Sequence, residues 1–243
     1  MIVAQLSDIH ADGSREALDR LDRVLKWLRP VRPDWLIVSG DLAEAEQRES
    51  YAEIRERFED LGSGFSIVPG NVDDREKLRN AFGDLHDWAE AGPLNSSANA
   101  GDLRLVGLDV TVPGAHHGEA GQVLDWLKAT LPGGDAPTII FQHQHPFLCG
   151  IDGKDKNICR SGDELADVIN RSEAEIVLLT CGHVHRPLFT QFAGRPATMA
   201  PSVARANKLR LNGREPTIVE PPGLLLHHWS EKRLVSHVVM VTD

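Results

Sequence analysis

Five short motifs in this 243-residue chain carry side chains suited to binding transition-metal ions. They are Asp8-Ile9-His10, Gly40-Asp41, Gly70-Asn71, His143-Gln144-His145-Pro146 and Gly182-His183-Val184-His185. A mixed set of carboxylates, imidazoles and an amide suits Mn, Fe, Zn, Ni or Co. A closed structural zinc site would favour cysteines. In Asp8-x-His10 and His183-x-His185, residues i and i+2 of an extended chain point to the same side. Each pair is therefore expected to offer two ligands to one small volume. Glycines at 40, 70 and 182 leave room for tight backbone turns beside the ions. Ions held this way acidify water and stabilise charge on oxygen, which is the chemistry of hydrolysis. Any one motif is equally a capping Asp, a turn Asn or a satisfied core histidine. The metal reading comes from all five together, in order.

The hydrophobic pattern supplies elements to position them. Apolar runs predict strands at Ile2–Ser7, Trp35–Ser39, Phe65–Val68, Leu103–Val110, Thr138–Gln142 and Ile176–Thr180. Between them, stripes at three- and four-residue spacing predict helices at Arg15–Leu28 and Glu49–Leu61. Leu18, Leu21, Leu25 and Leu28 form the first stripe, and Tyr51, Ile54, Phe58 and Leu61 the second. Further helices are expected at Asp74–Phe82, Gln122–Leu131 and Asp163–Asn170. Each motif follows directly on a strand, at the carboxyl edge where open α/β sheets bind ligands. After Thr180 the pattern changes. Leu188–Phe192 with Pro196–Ala200, and Leu224–Trp229 with Leu234–Val241, read as antiparallel hairpins. Asn207–Gly223, with three prolines, reads as a long surface loop. No linker interrupts the chain, so residues 1–243 are expected to form a single domain.

Composition narrows the function class. The net charge is −10, which disfavours duplex nucleic acid as a partner. Arg205, Lys208, Arg210 and Arg214 are the nearest thing to a basic group. No apolar run reaches the roughly 18–20 residues that span a bilayer, so no membrane association is expected. The N-terminus lacks the features of a signal peptide. Three cysteines, Cys149, Cys159 and Cys181, form no CxxC pair. A reduced, cytoplasmic setting is the expectation.

The motifs as a set resemble the calcineurin-like metallophosphoesterase superfamily, in particular its bacterial class III cyclic-nucleotide phosphodiesterases. Supporting stretches are Pro69-Gly70-Asn71-x-Asp73-Asp74-Arg75, Leu108-Asp109-x-Thr111-Val112-Pro113-Gly114, His117-Gly118-Glu119 and Arg160-Ser161-Gly162-Asp163. The resemblance implies a four-layer αββα sandwich with two mixed β-sheets. The part from about 186 to 243 would supply antiparallel hairpins to the second sheet. It also implies that Asp8, His10 and His185 bind one metal, that Asn71, His143 and His183 bind another, and that Asp41 bridges. The implied reaction is hydrolysis of a small-molecule phosphodiester, such as a cyclic nucleotide, by a hydroxide bridging two divalent or trivalent ions. Asn71 and the metals would stabilise charge on the phosphoryl oxygens. A homodimer is the implied assembly.

Two departures from the family pattern bear on the chemistry. The family usually has Gly-Asn-His-Asp, where this chain has Gly70-Asn71-Val72-Asp73. The missing histidine is credited with binding the phosphoryl oxygen or protonating the leaving group. A general acid contributes about 10²–10⁴ in rate, so alkoxide leaving groups should suffer most from its loss. The family usually has His-His-Pro-Pro, where this chain has His143-Gln144-His145-Pro146. His145 is accordingly a candidate replacement acid, set against a plain structural imidazole. His117, in a Gly-rich loop, is a candidate for contact with substrate or a metal-bound water. Other readings are a glycerophosphodiester or other diester or monoester hydrolase of the same superfamily, and a metal-binding scaffold impaired in turnover. A serine/threonine phosphatase is disfavoured because Gly40-Asp41 is followed by Leu-Ala-Glu-Ala-Glu, without the expected arginine.

Overall fold

The computed structural model describes residues 1–44, 48–209, 211 and 217–242. In chain order the elements are β1 (Ile2–Leu6), α1 (Arg15–Val31), β2 (Trp35–Ser39), α2 (Arg48–Leu61), β3 (Gly64–Val68), α3 (Arg75–Phe82), β4 (Ser96–Ala100), β5 (Leu103–Leu108) and β6 (Gly118–Glu119). There follow α4 (Leu124–Thr130), β7 (Thr138–Gln142), α5 (Asp152–Asp155), β8 (Cys159–Arg160), α6 (Gly162–Arg171), β9 (Ile176–Cys181), β10 (Leu188–Phe192) and β11 (Arg195–Met199). The last are β12 (Ala206–Asn207), β13 (Thr217–Ile218), β14 (Gly223–Ser230) and β15 (Arg233–Met240).

Two mixed sheets dominate. One has the order β15-β14-β1-β2-β3 and the other β10-β11-β9-β7-β5-β4. Strands β1, β2 and β3 run parallel, as do β5, β7, β9 and β11. Strand alternation then makes the layers. Val3, Ile37 and Val68 point inward and meet Leu105, Ile139, Phe141 and Leu178 of the other sheet. Ala4, Leu6, Leu36, Val38 and Ile67 point outward against Leu21, Leu25 and Leu28 of α1, Ile54 and Phe58 of α2, and Leu78 and Phe82 of α3. Val106, Ile140 and Leu179 do the same against Leu127 of α4 and Leu165 and Ile169 of α6. The result is the expected αββα sandwich, with buried apolar residues in three clusters.

The two C-terminal hairpins do not share one sheet. β10 and β11 join the larger sheet beside β9, whereas β14 and β15 join the smaller one beside β1. Hairpin formation is local and is written in alternation and turn residues. The choice of a strand more than two hundred residues away is not. β4 was not anticipated either. Ser-Ser-Ala-Asn-Ala lacks apolar alternation, and this edge strand is held by its ladder with β5. Within the expected loop Asn207–Gly223, Ala206–Asn207 pairs with Thr217–Ile218. Arg210, Arg214 and Pro216 lie outside the described residues. Among the described residues, no helix is long and apolar enough to cross a membrane.

A polar cluster crosses the otherwise apolar layer between the sheets. Gln5 donates to the Ser39 hydroxyl (2.9 Å) and the Cys181 carbonyl (3.2 Å), and accepts from the Thr180 hydroxyl (2.6 Å). His227 Nε2 meets Gln5 Oε1 at 3.0 Å, and its Nδ1 meets the Ser236 hydroxyl at 2.8 Å. Ser39 and Cys181 are the last residues of β2 and β9. The cluster therefore ties the two sheets together directly beneath the ends that carry the candidate ligands.

Candidate metal centre

Asp8 and His10 follow β1, Asp41 follows β2, Asn71 follows β3, His143 follows β7, and His183 and His185 follow β9. The backbone at Asp8, His10, Asp41, His183 and His185 is left-handed, with φ of 54°, 49°, 53°, 71° and 62°. This corrects the expectation that the i, i+2 pairs are extended. These residues lie past the last ladder pair, where loop carbonyls take over. Asp8 N–H donates to Gly40 O and His10 N–H to Asp41 O, both at 3.0 Å. The His183 N–H donates to the Asp8 carboxylate at 3.1 and 3.2 Å. Asp and His tolerate the left-handed region better than most residues, and such conformations concentrate at functional sites.

Two glycines make this convergence sterically feasible. A β-carbon at Gly70 would collide with the Asp41 carboxylate and amide. One at Gly182 would collide with the Ser7 hydroxyl and press on Asp8 Oδ2 and the Ser39 carbonyl. Without those β-carbons the end of β3 closes on that of β2, and the end of β9 in the other sheet closes on those of β1 and β2.

All seven predicted ligands come together, in two sets. In the first, His185 Nε2 is 3.1 Å from Asp8 Oδ1 and 3.1 Å from His10 Nε2. In the second, His143 Nε2 is 3.2 Å from Asn71 Oδ1 and 3.3 Å from His183 Nδ1. One oxygen faces both sets: Asp41 Oδ2 lies 3.3 Å from His10 Nε2 and 3.2 Å from His143 Nε2. Two donors each about 2.1 Å from one ion are about 3.0–3.4 Å apart when they are neighbours around it. The observed separations have that size.

The electrostatics fit cations as well. Burial would raise the carboxyls of Asp8 and Asp41, but His185 beside the one and His143 beside the other hold both well below the usual range. Burial pulls His10 toward the neutral form, yet Glu44 and the carboxylates push it up to about 9. His143 is likewise buried and is pushed up to about 9, chiefly by Asp41. His183, desolvated and next to His143, is held well below its ordinary value. A pocket that draws protons onto two imidazoles beside two ionised carboxylates is one that accepts positive charge. His183 Nε2, buried without a hydrogen-bond partner, adds an unsatisfied polar atom to the same place.

The sequence profile described as calcineurin-like phosphoesterase matches residues 1–187. This chain belongs to that family. It is 30% identical to a probable glycerophosphodiester phosphodiesterase of Arcobacter nitrofigilis, over 98% of this chain and 92% of the relative. It is 28% identical to the 3′,5′-cyclic adenosine monophosphate phosphodiesterase of Escherichia coli K12, over 82% of this chain and 75% of the relative. A dimetal phosphatase from Danio rerio shares the fold, with a TM-score of 0.71 at 14% identity, covering 100% of this chain and 99% of that one.

In this calcineurin-like phosphoesterase, polar groups behind the seven residues orient them, and of these only Asp73 belongs to the motifs quoted above. His143 Nδ1 is 2.8 Å from the Ser39 carbonyl, and His185 Nδ1 is 3.1 Å from the Arg205 carbonyl. A carbonyl can only accept, so each ring is fixed with Nε2 free to bind. His10 Nδ1 is 2.8 Å from Glu44 Oε1. Asp73 accepts from the amides of Gly70 (2.8 Å), Leu42 (3.0 Å) and Ala43 (3.1 Å) and from the Tyr51 hydroxyl (3.0 Å). It thereby locks the Asp41 loop to the Asn71 loop. Burial and the Asp41 charge push the Asp73 carboxyl up to about 6. For Glu44 the signal in the sequence is a carboxylate three residues after Asp41. Carbonyl partners leave no mark in residue type.

The departures cluster on one side. Val72 donates its amide to Asp41 Oδ1 at 3.0 Å, so the loop keeps its place without the usual imidazole. Gln144 is buried and donates to the His116 carbonyl at 3.3 Å, tying the His117 loop to the strand end that carries His143. Arg75 grips the same loop, donating to Asp109 at 2.6 and 3.0 Å and to the Thr111 carbonyl at 2.6 Å. His117 is half-buried, and among the described residues no hydrogen bond joins it to the seven. The His145 side chain has no solvent exposure and sits behind His183, with ring centroids 5.8 Å apart.

Proposed function

We propose that this chain is a dinuclear metal-dependent phosphodiesterase acting on a small-molecule diester. The observation that carries this reading is Asp41 Oδ2, 3.3 Å from His10 and 3.2 Å from His143, between two donor sets of matching size. Asp8, His10 and His185 would hold one ion, Asn71, His143 and His183 the other, and Asp41 both. Bound ions would supply Lewis acidity and a nucleophile from water at neutral pH. The mixed oxygen and nitrogen donor set favours Mn, Fe, Zn, Ni or Co.

The chain's own residues then do the positioning. Ser39, Arg205 and Glu44 orient three imidazoles. Asp73 fixes Asp41 and Asn71 relative to each other. The Asn71 amide donates to a phosphoryl oxygen as charge develops there. Val72 offers no proton, so departure of an alkoxide is the slow part, and diesters with acidic leaving groups are the faster substrates.

The names of the relatives support a small diester, either a cyclic nucleotide or a glycerophosphodiester. A panel of cyclic nucleotides, glycerophosphodiesters, an aryl diester and an aryl monoester, run across Mn, Fe, Zn, Ni and Co, tests this. Metal-dependent diester turnover is the expected result. Full metal loading with no turnover of any member would instead favour an impaired scaffold, a reading motivated by Val72. Residues 1–243 are read as one metallophosphoesterase domain. We read its setting as reduced and cytoplasmic, on its three free thiols. The exposed Val235, Val238 and Met240 of β15 support pairing of two chains, which sedimentation would reveal.

A further inference from the structure

A second group of metal-binding donors lies beside the first and shares no residue with it. His145, Cys149 and Asp155 each offer one ligand atom, all within 4.8 Å of one another. His145 Nε2 is 3.6 Å from Asp155 Oδ1, beyond hydrogen-bond length. His145 is completely buried, and neither of its ring nitrogens has a hydrogen-bond partner. A buried imidazole almost always satisfies at least its N–H. Here the ring instead points an unpaired nitrogen toward a carboxylate and a thiol.

The loop is built to bring these groups together. Asp155 accepts from the amides of Cys149 (2.8 Å) and Gly150 (3.0 Å), which folds the segment after β7 back on α5. Lys154 donates to the His183 carbonyl at 2.8 Å and anchors the same turn to the strand end carrying the ligands. Burial and the neighbouring Asp155 push the Cys149 thiol up to about 12, so without a cation it stays protonated.

We propose that His145, Cys149 and Asp155 form a third cation site, for a borderline ion such as Zn²⁺ or Co²⁺. One sulfur, one imidazole and one carboxylate select such ions over Mg²⁺, Ca²⁺ or Mn²⁺. Three protein donors leave a fourth position for water. Donors about 2.0–2.3 Å from one ion lie about 3.3–3.8 Å apart, so binding draws the half-buried Cys149 and Asp155 inward by about an ångström. The Cys149 S–H bond breaks as the sulfur–metal bond forms, and the proton leaves to solvent. No oxidation is involved. The site accounts for the histidine that replaces the usual proline two residues after His143.

The seven ligands of the dinuclear set include no sulfur, which makes the test specific. Co²⁺ is titrated into the metal-free full chain while near-ultraviolet thiolate-to-cobalt charge transfer and bound metal per chain are followed. The expected result is a charge-transfer band with about three ions bound at saturation. Cys149→Ser should abolish the band and lower the count by one, with the visible cobalt bands of the other two ions retained as evidence of folding. His145→Ala should remove the band at the same cobalt concentration. Asp41→Ala, which disrupts the dinuclear set, should keep it. Saturation of the wild type without a thiolate band would overturn the proposal. So would a band that survives Cys149→Ser, or one that vanishes in Asp41→Ala.

Discussion

The two halves of the proposed metal centre are built from similar donors but sit in different surroundings. The His10 and His185 side chains are 21% and 14% exposed, and their outer partners include Glu44 at the surface. His143 is fully buried and is oriented by the Ser39 carbonyl, while His183 Nε2 has no partner. An ionisable side chain therefore touches an imidazole of the first half directly, whereas the imidazoles of the second half are set by packing and backbone. Val72, Gln144 and His145, the departures from the family pattern, all flank the second half. There the His143 ring is held by the Ser39 carbonyl, a partner that does not depend on the neighbouring side chains.

Removing what the halves share should have the largest effect. Asp41→Ala is expected to lower metal-dependent diester turnover by about 10³-fold or more, since several kcal/mol of charge stabilisation depend on both ions. Steady-state assays with metal analysis check this, and an active protein still holding two ions would break the division into halves joined at Asp41. Next comes the altered flank. Val72→His should raise turnover of alkyl diesters by about 10²-fold and of activated aryl diesters by less than tenfold. A leaving-group series on both proteins decides, and equal gains would mean that proton supply is not what the second half lacks.

A smaller effect should separate the halves. Glu44→Ala is expected to weaken the first metal by about 10–100-fold while leaving the second nearly unchanged. Stepwise metal titration by calorimetry would show this, and equal weakening of both would erase the contrast. The smallest effect belongs to the polar cluster beneath the site. Burial pushes His227 down to about 3, against an ordinary value of 6.5. Between these values the unfolded chain takes up a proton that the folded chain refuses. Stability is therefore full above pH 6.5 and falls as pH drops toward 3. The loss should reach about 2 kcal/mol at pH 5. Denaturant unfolding of the metal-free protein should show a shallower acid decline in His227→Gln, and an unchanged slope would mean that His227 does not titrate on unfolding.

Much of the centre could be read from residue type and place. Asp8, His10, Asp41, Asn71, His143, His183 and His185 each follow an apolar strand, and parallel order within each of the two sheets brings the ends of its strands to one edge of that sheet. The backbone that delivers them could not be read, because left-handed Asp and His residues are set by loop-to-loop hydrogen bonds between distant segments. The same holds for the Ser39 and Arg205 carbonyls, which any residue supplies. His145 shows the limit most clearly. Its type and spacing fit a reacting group or a structural imidazole alike, and only the structure shows that it is buried beside His183. The hairpins were visible as hairpins, but their allocation to different sheets depends on pairing between opposite ends of the chain.

The sharing of Asp41 by two ions is tested most directly by electron paramagnetic resonance of the chain loaded with two equivalents of Mn²⁺. Two ions bridged through one carboxylate should give an exchange-coupled spectrum, replaced in Asp41→Ala by signals of isolated ions. A wild-type spectrum made up only of isolated ions at full loading would contradict the shared ligand.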